Sequence, residues 1–194
     1  MENFFYGEIN ENLIINNNLE SALRLKTPKT YKSQLINDCE KVLRNQINAK
    51  YVGVVIDLTF PNENVINLGY GDIISKDLYK NLKGCKKAFV FCVTLGLQVD
   101  ILLKKLVAKS VAEHFVTDAL ASSLCESLCD LVDKEISKGI TCRNRFSVGY
   151  GDLSLFEQKN IIKLTSADKY LNIKLTDDYL MLPTKTITAI KGIE

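Results

Sequence analysis

Residues 110–138 read SVAEHFVTDALASSLCESLCDLVDKEISK, the longest stretch of the chain with the pattern of a helix. Ser110 and Glu113 have the spacing of a capping box, in which the two side chains satisfy free amides of the first turn. Gly139 follows at a position where helices often end. A broad apolar stripe is formed by Val111, Phe115, Leu120, Leu124, Leu128, Leu131 and Ile136. We therefore predict one long helix over about 110–138.

Shorter apolar runs on both sides of this helix predict the strands. Residues typical of buried strands fill 51–58 and 88–94, and shorter strands are predicted at 13–15, 65–68, 173–176 and 186–190. Further helices are predicted at 30–48, 77–82, 154–164 and 166–171, the third opening in a second capping box at Ser154 and Glu157. Because strands and helices do not alternate regularly, we predict the α+β class, with a mixed or antiparallel twisted sheet packed with helices. We assign 1–49 to an N-terminal segment with a helix and 50–194 to the core, in one domain overall.

Composition limits the classes of partner. The 194 residues carry a net charge of +2, and the lysines are spread along the chain, which argues against a nucleic-acid partner. The apolar runs are too short to span a bilayer, so we expect no membrane partner. The start of the chain lacks a signal peptide and the six cysteines form no C-x-x-C pair. We therefore expect a cytoplasmic protein with reduced thiols.

No established catalytic or metal-binding pattern is present in the sequence. The one histidine, His114, lies inside the long helix without a partner at metal-ligand spacing. Dinucleotide, P-loop and G-x-S-x-G motifs are missing. Cys125 and Cys129 share a helix face, either as a redox or thiolate pair or as two core residues, and we favour the core. Cys142 lies near the 145–150 loop. We assign no catalytic residue and no metal ligand.

One loop carries a set of groups suited to a ligand. It reads Arg145-Phe146-Ser147-Val148-Gly149-Tyr150. The guanidinium can bind a ligand carboxylate through two hydrogen bonds, and the glycine lets the main chain approach closely. The tyrosine can lie against an adenine or face a sulfonium cation. The alternative is an arginine bound to a helix C-terminus beside a Gly-Tyr turn.

Several segments, in the same order, resemble the activation domain of vitamin B12-dependent methionine synthase, in its small stand-alone form. The loop is similar to the family's R-x-S-P-G-Y motif, with Val148 in place of the proline. Residues 175–183 resemble L-T-E-S-x-x-M-x-P, with Asp177 and Asp178 at the glutamate and serine positions. The other similar segments are Gly84-Cys85, 93–96, Val99-Asp100, 118–122 and 128–130.

The resemblance implies a binding site for S-adenosylmethionine. Arg145 would bind the ligand carboxylate, the amides near Ser147 and Val148 would meet the adenine, and Gly149 and Tyr150 would shape the pocket floor. The family's ligand-contacting glutamate on the long helix falls on Ser122, with Glu126 one turn later. Asp177, Asp178, Tyr179, Met181 and Pro183 would face the corrinoid or its carrier.

The resemblance also implies a function. In the family, the domain presents S-adenosylmethionine to cobalamin held by a methionine synthase module. A one-electron donor, flavodoxin or ferredoxin, reduces the cobalt, which then takes the methyl group. The chain would be a component of this methyltransferase activity in methionine biosynthesis rather than a self-sufficient enzyme. Two alternatives stay open: a non-catalytic binding or regulatory module of the same fold, and a reactivator of another corrinoid methyltransferase.

Overall fold

The computed structural model describes residues 4–14 and 33–194. Its centre is a four-stranded antiparallel sheet in the order β1-β2-β5-β8. These strands are β1 (Phe4–Ile9), β2 (Ala49–Asp57), β5 (Lys87–Thr94) and β8 (Thr186–Ile193). Two small antiparallel pairs complete the strands: β3 (Val65–Asn67) with β4 (Asp72–Ile74), and β6 (Lys174–Leu175) with β7 (Met181–Leu182).

Six α-helices surround the sheet in the described part of the chain. They are α1 (Ser33–Arg44), α2 (Lys76–Leu82), α3 (Leu97–Lys109), α4 (Val111–Ile136), α5 (Glu157–Thr165) and α6 (Ala167–Tyr170). The predicted long helix is α4, and Ser110 caps it by accepting a hydrogen bond from the Glu113 amide at 3.3 Å. The prediction of an α+β fold with one long helix and an antiparallel sheet is confirmed.

The sheet is covered on both faces. Phe91 and Val93 of β5 point into a core that contains side chains of α1, α3 and α4. Val90 and Cys92 point to the other side, into a core that contains side chains of α2, α5 and α6. Successive residues of a strand face opposite sides, so a strand covered on both faces must be apolar throughout. No helix in 4–14 or 33–194 has the length and apolarity needed to cross a membrane.

The structure corrects three local predictions. The sheet edge is β1, with alternating burial, whereas Glu11–Leu13 forms a short 3-10 helix and Ile15 lies outside the described residues. Helix α3 was not predicted, because Gly96 precedes it with a φ of 90° and no side-chain cap. The second capping box is wrong: Ser154 accepts from the Phe156 amide at 3.2 Å, and α5 begins only at residue 157.

Candidate functional site

The candidate site lies at the outer edge of the sheet, where the chain returns after α4. Phe146 pairs with Ile190 of β8 through two backbone hydrogen bonds of 2.8 Å, and Cys142 bridges Ile193. Between these two bridges the returning segment holds one more residue than β8 does. The extra residue makes a bulge, a device that redirects side chains at sheet edges. Arg145 lies in this bulge.

A tight turn follows the bulge. The Tyr150 amide donates to the Ser147 carbonyl at 3.2 Å, and Gly149 has a φ of +86°. A type II turn requires this left-handed conformation at its third position, where glycine is strongly preferred. The turn places Val148 inside, at 7% exposure, and leaves Tyr150 64% exposed. The glycine of the predicted ligand loop is therefore explained by turn geometry.

The turn is fixed to the neighbouring helix by Asp152. Its carboxylate accepts hydrogen bonds from the Ser75 hydroxyl and from the Lys76 amide, the latter at 2.8 Å. Lys76 is the first residue of α2, and a negative charge at a helix N-terminus is stabilising. The hydrogen bond from Ser75 and those from the backbone lower the pKa of Asp152 despite some desolvation. The loop is thus held against α2.

A cavity of about 540 Å³, called cavity 1 below, opens between these elements. Its walls come from α4, the bulge and turn, the first turn of α5, β7 and the first residues of β8. They are Glu126, Asp133, Asn144, Arg145, Phe146, Ser147, Val148, Tyr150, Gln158, Met181, Thr186, Ile187 and Thr188. Because α4 and α5 cover opposite faces of the sheet, cavity 1 wraps around the edge of β8.

Arg145 is the central cation of cavity 1. Its Nη2 lies 3.0 Å from Glu126 Oε2, and its Nη1 bonds Asp130. Burial lowers the pKa of the guanidinium, but the surrounding Cys129, Asp130 and Glu126 outweigh it and hold the pKa above its ordinary value. Arg145 is thus bound to side chains on the face of α4, and the sequence alternative of an arginine bound at a helix C-terminus does not describe these contacts.

Two more cations bind the same face of α4. Lys191 Nζ lies 2.6 Å from Asp133 Oδ1. Lys185 Nζ lies 2.7 Å from Asp118 Oδ1 and donates to the Ser122 hydroxyl at 2.9 Å. The helix residues involved are three or four positions apart, so they form one row along α4. This row consists of Asp118, Ser122, Glu126, Asp130 and Asp133.

The structure brings together six of the predicted site residues. Glu126, Arg145, Ser147, Val148, Tyr150 and Met181 all line cavity 1. Met181, which was predicted to face the corrinoid or its carrier, lies in the same cavity wall as Arg145. Ser122 and Gly149 are not in that wall. The Ser122 hydroxyl accepts a hydrogen bond from Lys185, and Gly149 provides the positive φ of the turn.

The remaining predicted residues lie further along the chain. Asp177 and Asp178 are exposed. The Tyr179 ring packs edge-on against Phe156, with ring centroids 5.3 Å apart. Pro183 is buried in the wall of a second cavity, of about 570 Å³. These residues therefore do not form one surface with Pro183.

Sequence reasoning missed three polar residues of cavity 1, Gln158, Thr186 and Thr188. Gln158 is 5% exposed, and its Oε1 accepts a hydrogen bond from the Thr188 hydroxyl at 2.8 Å. Thr186 and Thr188 alternate on the buried face of β8. Two threonines at alternate positions of a predicted buried strand could have indicated a polar patch there, because buried hydroxyls require hydrogen-bond partners.

The cysteines of α4 belong to the core. Cys125 and Cys129 are buried in the same cluster as Leu124 and Leu128. Burial raises the pKa of both thiols, that of Cys129 to about 12, so they stay protonated and unreactive at neutral pH. Within residues 4–14 and 33–194, no group of three histidine, cysteine or carboxylate side chains is arranged to hold a metal ion.

Comparison with known proteins gives a clear likeness in fold. No family model matches the chain, and no curated protein matches it in sequence. The structure superimposes on the crystal structure of the MetH reactivation domain bound to AdoHcy with a TM-score of 0.74. The match covers 98% of this chain and 78% of that chain at 14% sequence identity. The chain therefore has the fold of the MetH reactivation domain.

Proposed function

We propose that this chain binds S-adenosylmethionine in cavity 1 and acts as the reactivation component of a corrinoid-dependent methionine synthase. The observation that carries the proposal is the position of the Arg145–Tyr150 loop. In a fold shared with a domain that binds AdoHcy, this loop lines a cavity of about 540 Å³. That volume suits a small-molecule ligand.

The charges of cavity 1 match the charges of the ligand. S-adenosylmethionine carries a carboxylate, an ammonium group and a sulfonium. Its carboxylate would take the guanidinium of Arg145, replacing Glu126, and the released Glu126 would accept the ligand ammonium. The Arg145–Glu126 ion pair is thus replaced by two ion pairs, one from each of these residues to the ligand. No buried charge is left unpaired, and an unpaired buried charge would be costly. Ser147, Val148 and Tyr150 would then border the adenine.

The chain would act by positioning its ligand. The partner's corrinoid would supply the methyl acceptor: after one-electron reduction by flavodoxin or ferredoxin, its cobalt would take the methyl group from the sulfonium sulfur, and S-adenosylhomocysteine would remain. This step needs no acid, base or nucleophile from the chain. Holding the methyl carbon in line with the acceptor can by itself account for much of the rate.

The corrinoid protein would dock beside the mouth of cavity 1. The exposed apolar side chains here are Tyr150, Phe156 and Leu180, at 64%, 47% and 57% exposure. The ring of Tyr179, next to Leu180, packs against the ring of Phe156 and so brings these two parts of the patch together. Asp177 and Asp178 add charge next to these rings. A modest patch of mixed polarity is typical of partners that bind and release.

Calorimetric titration of the purified chain with S-adenosylmethionine and with S-adenosylhomocysteine tests the proposal. We expect saturable 1:1 binding of both, and a rise in the melting temperature at millimolar ligand. No heat and no thermal shift at millimolar concentrations would rule the proposal out.

A second function is favoured by the bonds that already occupy Arg145. A module that had lost its ligand would keep the guanidinium on Glu126 and Asp130 permanently. Such a module would still bind a corrinoid protein, as a regulator. Pull-down of a corrinoid methionine synthase without any binding of S-adenosylmethionine would select it. Methyl transfer to a different corrinoid methyltransferase would instead identify that protein as the partner.

A further inference from the structure

Gln158, in the wall of cavity 1, is almost completely buried and carries a donor group without a described protein partner. It lies in the first turn of α5 and is 5% exposed. A carboxamide has two donor hydrogens and one acceptor oxygen. The oxygen is used by Thr188, whereas Nε2 makes no hydrogen bond to any described residue. Nε2 is not one of the fully buried side-chain atoms that lack a partner, so on the wall of cavity 1 it is open to an acceptor atom of a ligand.

The two sides of cavity 1 differ in chemistry. Every charged residue of its wall belongs to α4 or to the bulge: Glu126, Asp133 and Arg145. The side formed by α5, β7 and the turn offers Gln158, Met181 and Val148, with Thr188 beneath them. A ligand with one charged end and one flat uncharged end would place its base on the Gln158 side.

We propose that Gln158 recognises the adenine base of the ligand by donating a hydrogen bond from Nε2 to a ring nitrogen. The inference rests on the proposed function, because it takes an S-adenosyl compound as the occupant. Adenine presents unprotonated nitrogens at N1, N3 and N7, each able to accept such a bond. Because Thr188 holds the carboxamide oxygen, the contact uses the donor half of the glutamine–adenine pairing, from Nε2 to a ring nitrogen.

Thr188 is the positioning residue for this contact. Its hydroxyl is 2.8 Å from Gln158 Oε1, and both side chains are at least nine-tenths buried. The hydroxyl holds the carboxamide oxygen toward β8, which turns Nε2 away from the strand. Loss of the hydroxyl frees the amide to rotate, so the contact with the base weakens without any change in the charged side of the cavity.

The test measures coupling between one protein group and one ligand atom. Affinities of wild type and Q158L are measured by calorimetry for S-adenosylhomocysteine and its 1-deaza, 3-deaza and 7-deaza analogues. We expect one analogue to bind wild type about five- to tenfold more weakly, the usual effect of one lost hydrogen bond. Q158L should bind that analogue and the parent compound equally.

Two further variants complete the test. In T188V the difference in affinity between the parent compound and the same analogue should be smaller than in wild type. This variant tests the proposal if Q158L does not fold. T165V is the control: it removes a buried hydroxyl of α5, the helix that carries Gln158, and this hydroxyl donates to the Ile161 carbonyl at 2.8 Å. T165V should bind the analogue as much more weakly than the parent compound as wild type does. An equal difference in affinity between the parent compound and the analogue in wild type, Q158L and T188V would overturn the role of Gln158 while leaving the proposed function intact. Absence of any S-adenosylhomocysteine binding to wild type would overturn both.

Discussion

The guanidinium of Arg145 donates a hydrogen bond to the carboxylate of Glu126 in the wall of cavity 1, with Nη2 and Oε2 3.0 Å apart. A second carboxylate, that of Asp130, bonds the other nitrogen of the same group. Glu126 lines the cavity, whereas Asp130 is not part of its wall. The two acids therefore bond different nitrogens of Arg145 and differ in their access to a ligand.

This difference predicts opposite effects of two matched substitutions. E126Q removes the partner expected for the ligand ammonium, so S-adenosylhomocysteine should bind more weakly. D130N removes a competitor for Arg145 and should tighten binding by about two- to fivefold, the size of a partly exposed ion pair. Calorimetry measures both. Changes of the same sign in the two variants would show that the acids only hold Arg145 in place.

Ser122 has a structural role, because its hydroxyl links Lys185 to α4. Its hydroxyl accepts from Lys185 at 2.9 Å and donates to the Asp118 carbonyl at 3.0 Å. We expect S122A to lower the free energy of unfolding by about 0.5–1.5 kcal/mol, the net value of such a hydrogen bond. Ligand affinity should change less than about twofold. Urea unfolding and calorimetry test the two parts, and a large loss of affinity with unchanged stability would restore Ser122 as a ligand contact.

Asp152 gives the stability of the protein a predictable dependence on pH. Its pKa is lower in the folded chain than in the unfolded chain, mainly because Ser75 donates to it. A lowered pKa means that its contribution is complete above the unfolded value of about 4 and is lost as the pH falls through the folded value. Wild type should therefore exceed D152N in stability at pH 7, and the two should converge toward pH 2. Parallel stability curves across that range would contradict the assignment.

The sequence predicted those parts of the fold whose signals are local. The long helix α4 was found because its serine cap and apolar stripe lie within one segment. Helix α3 was missed because Gly96 provides no side-chain cap. The edge strand β1 was missed because only alternate residues are partly buried, so its polar content resembled that of a loop.

The candidate site was predictable only in part. Arg145 and Tyr150 were found from the chemistry that their side chains offer. The partners of Arg145 depend on the bulge against β8, a contact between distant segments that no local pattern encodes. Gln158 and Thr188 are 30 positions apart in the chain and meet only because α5 packs against the sheet. Nonlocal packing therefore decided the polar lining of cavity 1.

The proposed function depends above all on the role of Arg145 as the group in cavity 1 that holds the carboxylate of an S-adenosyl ligand. Its most direct test compares R145A with wild type for two ligands, S-adenosylhomocysteine and 5′-methylthioadenosine, which lacks the amino-acid group. R143A is the matched control, since Arg143 pairs with Glu194 at 2.9 Å and is not part of the cavity wall.

Calorimetry of these three proteins gives the deciding result. R145A should lose about 1.5–3 kcal/mol of binding free energy for S-adenosylhomocysteine, roughly tenfold or more in affinity. Its affinity for 5′-methylthioadenosine should match that of wild type, and R143A should bind both ligands normally. An equal loss for both ligands, or no loss for either, would contradict the claim.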